Sequence, residues 1–348
     1  MTERILILNV SGIGDFVDST PAIRHIRKLR PNASLTLAVA EKTWPLARGC
    51  HYVNEVIALP TSAGRSVPAI RDLGRWSRHV FPLFRRFDTA INFYNIASRG
   101  GALWIRFLLG WSGARLTIGS NIGGHAPFYT RAVQAQKTFD QLDSGMRVAA
   151  LLDPSQTMPA ANVPELWIAR DVMERTQARV QSLANGGSKA VSIFLGGDRR
   201  TRHEDPERAA KWLGRIQDRW SIHPIVIGAA SDPGLPATTS IRHTDMRGKA
   251  TIEETAAVIA SSSALITTHS APQHFASVWE IPTVVLAGPG DITRYRPHLP
   301  SNKLRIVKRE VECAPCYYAE CPLTGDQHQK CMSEIPADSV VQAFSEVI

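Results

Sequence analysis

Residues 5–30 constrain this chain more than any other stretch: they read ILILNVSGIGDFVDSTPAIRHIRKLR. Ile5–Val10 is an unbroken apolar run, the mark of a strand buried in a parallel sheet. The turn Ser11-Gly12-Ile13-Gly14-Asp15 follows, then a helical pattern with Phe16, Ala22, Ile23, Ile26 and Leu29 turned inward. A strand entering a helix through a glycine turn sets backbone N–H groups and the helix's positive end at the carboxyl edge of a sheet. Open α/β folds hold anions there. The spacing is Gly-x-Gly-Asp, with Val17 where a dinucleotide fingerprint has its third glycine, so the glycines alone name no ligand. Asp15 has two readings: a first-turn carboxylate stabilised by the helix dipole, or a base beside a bound anion that takes a proton from a hydroxyl.

The strand–helix alternation continues. Apolar runs at 35–40, 53–59 and 89–93, and a weaker one at 116–118, predict strands, while 43–49 and 101–109 predict helices. The glycine-rich stretch 119–127, with Asn121 and His125, reads as a loop. Periodicity breaks at 153–166, where prolines cluster, which predicts a linker and domains over 1–160 and 161–348. Beyond it, 171–183 reads as a helix stopped by Asn185-Gly186-Gly187. Strands are expected at 190–195, 223–227, 264–268 and 283–287, and helices near 206–219, 252–261 and 272–279. The expected class is therefore α/β, two similar domains with mostly parallel sheets and a cleft between them as the ligand site.

A chain of 348 residues is long for one core, in keeping with two domains. No apolar run approaches the roughly 20 residues of a membrane span, and the N-terminal run is too short for a signal peptide, so a cytoplasmic protein is expected. Lysine and arginine number 40 against 31 acids, a net charge of +9, which favours anionic partners. Arg65, Arg71, Arg75, Arg78, Arg85 and Arg86 crowd residues 65–86 against the single acid Asp72, with Trp76, Val80, Phe81 and Phe84 between them. That segment is either a solvated face or an amphipathic stretch for an acidic membrane surface or a phosphorylated acceptor. No zinc-finger, basic-zipper or RNP signature is present, which argues against nucleic acid.

Three further stretches bear on chemistry. After the strand at 190–195 comes Gly196-Gly197-Asp198-Arg199-Arg200-Thr201-Arg202-His203. Its glycines let backbone approach a diphosphate and its guanidiniums fork onto phosphate oxygens, unless it is a plain basic surface loop. Thr251 and Glu254 have capping-box spacing, which leaves Glu253 over, either solvated or functional. Residues 264–291, ALITTHSAPQHFASVWEIPTVVLAGPGD, read as strand, turn, helix, strand and Gly-Pro loop, with Ser270 and Pro272 at the helix start. Finally, Cys313, Cys316, Cys321 and Cys331 gather four of the five cysteines within nineteen residues. In a reducing compartment such a cluster suits a structural zinc or iron site, the other reading being reduced thiols; Cys50 reads as a small core residue.

Together these stretches resemble the heptosyltransferase family of lipopolysaccharide core synthesis, glycosyltransferase family 9. The resemblance is carried by GIGDFVDSTPAIR at 12–24, by Ser270, Pro272 and His274 in the 264–291 signature, and by the cysteine arrangement. It implies the GT-B fold, with an N-terminal domain for the acceptor and a C-terminal domain for a nucleotide sugar, ADP-heptose favoured. It further implies an inverting, metal-independent transfer with Asp15 as base on the acceptor-side loop of Gly12 and Gly14. Donor contacts would fall to Gly196, Gly197, Thr201, Arg202 (with His203 as rival), Glu253 for the ribose, His269, Ser270, Ala271 and His274. Where the family has an acid and a glycine this chain has His269 and Ala271, and the tryptophan of a Lys/Arg-Trp-Pro motif is absent before Pro206. A histidine beside the diphosphate would bring a cation to that place if protonated. The implied acceptor is an anionic glycolipid at the cytoplasmic face of the inner membrane. A different nucleotide sugar, a protein acceptor, or a catalytically silent nucleotide-binding scaffold are the competing readings.

Overall fold

The computed structural model describes residues 2–60, 77, 80–96, 98–121, 124, 127–134, 140–159, 162–184 and 187–348. Most of the basic stretch 65–86 lies outside these residues, with only Ser77, Val80 and 81–86 within them. His125 and the helix stop at Asn185-Gly186 also lie outside. The chain divides into two compact units, Met1–Trp167 and Ile168–Ile348.

The first unit is a six-stranded sheet of β1 (Arg4–Asn9), β2 (Ser34–Ala40), β3 (Glu55–Leu59), β4 (Thr89–Asn92), β5 (Leu116–Ser120) and β6 (Arg131–Val133). Its order is β3-β2-β1-β4-β5-β6, and every pairing is parallel. β1 is central because Ile5, Leu6, Ile7 and Leu8 are all fully buried, each such side chain contributing about 1.5–3 kcal/mol of burial. Among the described residues, three helices of ten or more residues belong to this unit: α1 (Ile13–Leu29), α2 (Arg99–Ser112) and α3 (Gln141–Ala150). Pro21 lies inside α1 and deprives Val17 O of its usual backbone donor; the Thr20 hydroxyl donates to that carbonyl instead, at 2.7 Å. α2 is capped by the Ser98 hydroxyl, which accepts from Gly101 N, and ends at Gly113 with φ +73, where a Cβ would meet Arg85 Cα at 2.9 Å.

The second unit repeats the plan without repeating the sequence. β7 (Lys189–Phe194), β8 (Ile222–Val226), β9 (Thr244–Asp245), β10 (Ala264–Thr268), β11 (Thr283–Leu286) and β12 (Leu304–Val307) pair in parallel in the order β12-β11-β10-β7-β8-β9. Both sheets thus have the Rossmann order 3-2-1-4-5-6, counted from each unit's own first strand. The helices are α4 (Arg170–Leu183), α5 (Pro206–Gln217), α6 (Ile252–Ala260), α7 (Ala271–Val278) and α8 (Ala337–Ser345). Trp212 on α5 and Phe344 on α8, nearly or fully buried, anchor one core against β7 and β10. The expected capping box on α6 forms, with Thr251 and Glu254 bonded reciprocally.

The structure adds what the sequence pattern did not announce. β6, β9 and β12 are edge or short strands bearing Arg131, Asp245 and Arg305, so no apolar run marks them. α3 buries Leu142, Met146 and Ala149 on one face, with Gly145 lying against Ser19 and Ala22 of α1. The boundary falls after Trp167 instead of at 160. Trp167 packs edge-on against Phe16, Tyr52 and His51, with centroids 6.0–6.5 Å apart, and so belongs to the first unit.

Candidate functional site

In each unit the first and fourth strands lie side by side at the centre, and the connections that leave their carboxyl ends diverge. Ligands of open α/β sheets bind at that switch point. In the first unit the β1–α1 turn occupies it, with Gly12 as N-cap, Gly14 in the first turn and Asp15 third in α1. Gly12 lies under Asp15: a Cβ there would sit in ordinary contact, 3.6 Å from the carboxylate. Ser11 donates to Asn9 Oδ1 and Asn9 to the Ser19 hydroxyl, so the turn is braced by buried side chains. The phenol of Tyr94, just past β4, is pushed up first by burial and then by the Asp15 charge.

In the second unit the Gly196–Arg202 loop follows β7. A Cβ on Gly196 would come within 2.3 Å of Asp232 Oδ1, and the Gly196 carbonyl accepts from Thr268 Oγ1 at 2.6 Å, which locks the loop to β10. His203 Nε2 donates to Gly197 O at 3.2 Å. Arg202 donates to His269 O at 3.3 Å and pairs with Asp198 at 3.2 Å, yet its Nε is buried without a hydrogen-bond partner. Arg199, which the sequence reading did not single out, also has a buried Nη1 without one. Two guanidiniums with unspent buried donors at one strand end are a donor set for an anion. Thr201 is spent differently from the expected donor contact: its hydroxyl and N–H go to Tyr318 O and Ala319 O.

The turn after β10 carries His269, Ser270 and Ala271, with Ser270 as N-cap of α7 and no side-chain bond of its own to the helix. His269 is 2% exposed, donates Nε2–H to Tyr295 O at 2.9 Å, and packs Nδ1 against Gly290, where a Cβ would collide. Burial chiefly, and then Arg202 and His274, pull its pKa down to about 4, the Tyr295 and Asp291 interactions opposing. His269 is therefore neutral near pH 7, and the positive charge it was expected to bring there is not present. His274 is buried beside Gln273, 3.2 Å between the two side-chain nitrogens. Glu253 is only 8% exposed, so the solvated reading of that residue fails; it sits at the start of α6, which enters from β9 at the carboxyl edge. Tyr317, also missed in the sequence, has its guanidinium neighbour Arg199 5.6 Å from the ring, and its phenol feels Asp291, Arg294, Arg202 and Arg199.

The four cysteines of the expected metal site fall in the segment between β12 and α8. Cys313 is exposed, Cys316 and Cys321 are half-buried, and Cys331 is buried on the last turn before α8, its thiol pushed up to about 11 by burial and then by the other three sulfurs. Among the described residues no group of three or more His, Cys, Asp or Glu is arranged to hold a metal ion. Hydrogen bonds tie the segment down: Cys316 N to Pro289 O, Gln329 Nε2 to Arg200 O, and Gln329 N to Cys321 Sγ.

A model of glycosyltransferase family 9 (heptosyltransferase) matches residues 110–326, a span that holds the arginine loop, α7 and the Tyr317 segment but not Asp15. The chain belongs to this family. It is 30% identical over 108 residues to the lipooligosaccharide heptosyltransferase 2 of Campylobacter jejuni, a match covering 31% of this chain and 33% of that protein. The matched region is thus about a third of the length of that curated relative. Among solved structures, a family 9 glycosyl transferase from Veillonella parvula superposes with a TM-score of 0.76 at 19% identity, over 99% of this chain and 97% of its own. The E. coli ADP-heptose LPS heptosyltransferase II superposes at 0.73 with 17% identity, over 99% and 98%. At these identities the likeness is one of fold, and the fold is GT-B, two Rossmann-like domains in one chain.

Proposed function

We propose that this chain is an inverting glycosyltransferase that moves heptose from ADP-heptose onto a hydroxyl of an anionic lipopolysaccharide-core acceptor. The observation that carries the reading is the pair of buried, unspent guanidinium donors, Arg199 Nη1 and Arg202 Nε, at the carboxyl end of β7 beside the N-terminus of α7. Oriented donors and a helix N-terminus suit a diphosphate and stabilise the charge that gathers on it as it leaves. Family membership supports the reaction class, and the E. coli relative's name supplies ADP-heptose as donor.

In this reading Asp15 takes the proton of the acceptor hydroxyl. The oxygen attacks the anomeric carbon from the face opposite the diphosphate, the anomeric carbon–oxygen bond breaks, and ADP departs with the electron pair. Glu253 holds the ribose, and Gly196, Gly197, Ser270, Ala271 and His274 line the donor edge. Neutral His269 orients the 288–291 turn through Gly290 and Tyr295 instead of countering phosphate charge. The place of work is the cytoplasmic face of the inner membrane, reached from the aqueous side; no helix among the described residues is long and apolar enough to cross a membrane.

Calorimetric titration with ADP, UDP and GDP tests the donor. Selective ADP binding, retained in Asp15→Ala while turnover with ADP-heptose is lost, is the expected result. Selective UDP or GDP binding discards heptose as the favoured donor. An Asp15→Ala variant that turns over as fast as the parent overturns the mechanism.

A further inference from the structure

The outer face of α2 is apolar where a helix facing water carries charge. Ala102, Ile105, Leu108, Leu109 and Ser112 are buried, which leaves Leu103, Arg106, Phe107 and Gly110 outward, Leu103 at 65% and Phe107 at 43% exposure. The apolar face continues onto the turn before β4, where Phe81 and Phe84 are 68% and 46% exposed. The rings form one row. Phe81 and Phe84 lie 6.4 Å apart, Phe84 and Trp111 4.6 Å, Trp111 and Phe107 5.6 Å, and Phe107 and Trp104 5.7 Å. A concavity of about 480 Å³ opens between Phe84, Leu103, Phe107 and Trp111.

Among the described residues, the charged side chains that line this concavity are both arginines. Arg85 and Arg106 line the same concavity, and the Arg85 guanidinium lies over the Phe84 ring at 5.6 Å. From residue 89 to residue 139 the sequence holds five basic residues and no acid. Exposed aromatic and leucine side chains edged by arginines match the boundary of an anionic lipid bilayer: the rings enter below the headgroups while the guanidiniums snorkel to the phosphates. A second copy fits poorly, because pairing two of these faces would gather the Arg85 and Arg106 of both protomers, four like charges, in one interface.

We infer that the α2 face and the 81–85 turn form a membrane-docking surface for anionic bilayers. This rests on the transferase reading only for its purpose, delivery of the enzyme to a lipid-borne acceptor. Vesicle binding is measured without donor or acceptor, so its failure and a failure of ADP binding are separate results.

The test is co-sedimentation of the full chain with vesicles of phosphatidylethanolamine mixed with phosphatidylglycerol, against vesicles of phosphatidylcholine alone. Binding to the anionic vesicles, weakened by salt, is expected. The pair Leu103→Ser with Phe107→Ser lowers partitioning by about tenfold or more. Arg85→Gln with Arg106→Gln lowers it about tenfold on anionic vesicles only. All four side chains are exposed, and unchanged circular dichroism and melting show that the variants fold. Equal binding of the parent to both vesicle types overturns the proposal. So does parent-like partitioning of both double variants, or a dimer in analytical ultracentrifugation that the Leu103/Phe107 variant abolishes.

Discussion

Arg202 and Arg199 show how far a residue's role depends on what surrounds it. A loop of Gly-Gly-Asp-Arg-Arg-Thr-Arg reads equally as a phosphate cradle or a basic surface; burial of Arg199 Nη1 and Arg202 Nε without partners is what supports the proposed cradle. Replacing Arg202 by alanine is expected to weaken ADP binding about tenfold or more, since hydrogen bonds to charged groups are worth about 1.5–3 kcal/mol. Tyr317→Ala, which frees the Arg199 guanidinium, should cost about threefold, with Tyr317→Phe close to the parent. Both follow from calorimetric affinities. Glu204 makes a different prediction. It is 2% exposed, neither carboxylate oxygen has a hydrogen-bond partner, and Arg208 Nε is 3.5 Å away. Burial raises its pKa to about 7 against the opposing pull of Arg208. The folded state then holds a proton that the unfolded chain releases near pH 4.3, so this stabilising contribution is present in acid and lost as pH rises from about 4 to about 7. Glu204→Gln should remove that slope and raise stability by on the order of 2 kcal/mol at about pH 8 in urea unfolding. Arg208 stays held in that variant by Met332 O and Ile335 O, each at 2.7 Å.

At the scale of the element, the sequence signals that worked were those whose physics is local. The β1 run, the Thr251–Glu254 box and the Ser270-Ala271-Pro272 helix start each depend on residues within one turn of each other, and each forms where it was expected. Thr251→Ala removes the hydroxyl that accepts from Glu254 N while leaving the residue-251 N–H to Glu254 carboxylate bond, and should lower stability by about 1 kcal/mol, read as a shift in urea midpoint at unchanged slope. The elements that left no local signal were the edge strands. The cysteine segment is held by Thr201 to Tyr318 O and Cys316 N to Pro289 O, contacts that no spacing in the chain records. α2 was legible as a helix from its apolar residues, but its inward and outward faces are both apolar, so periodicity could not say which one water would meet.

For the whole molecule, two units with separate cores predict two unfolding steps. Scanning calorimetry should resolve two transitions, of which saturating ADP raises the one belonging to 168–348 by about 2.7 kcal/mol at a hundredfold excess over its dissociation constant. A single transition, or a shift of both, would show that the units unfold as one.

The sequence alone determined the α/β class, the two-domain plan, the first strand and its glycine turn, and the family, because these rest on apolar runs, turn residues and short motifs that act between neighbours in the chain. Only the tertiary structure decided which side chains meet at the carboxyl edge of β7. Arg199, His269, Asp291, Arg294 and Tyr317 come from four separate loops; enclosure keeps His269 neutral, and packing takes Glu253 out of water. Desolvation and the spending of hydrogen-bond donors are properties of packing, and no local pattern in the chain records them.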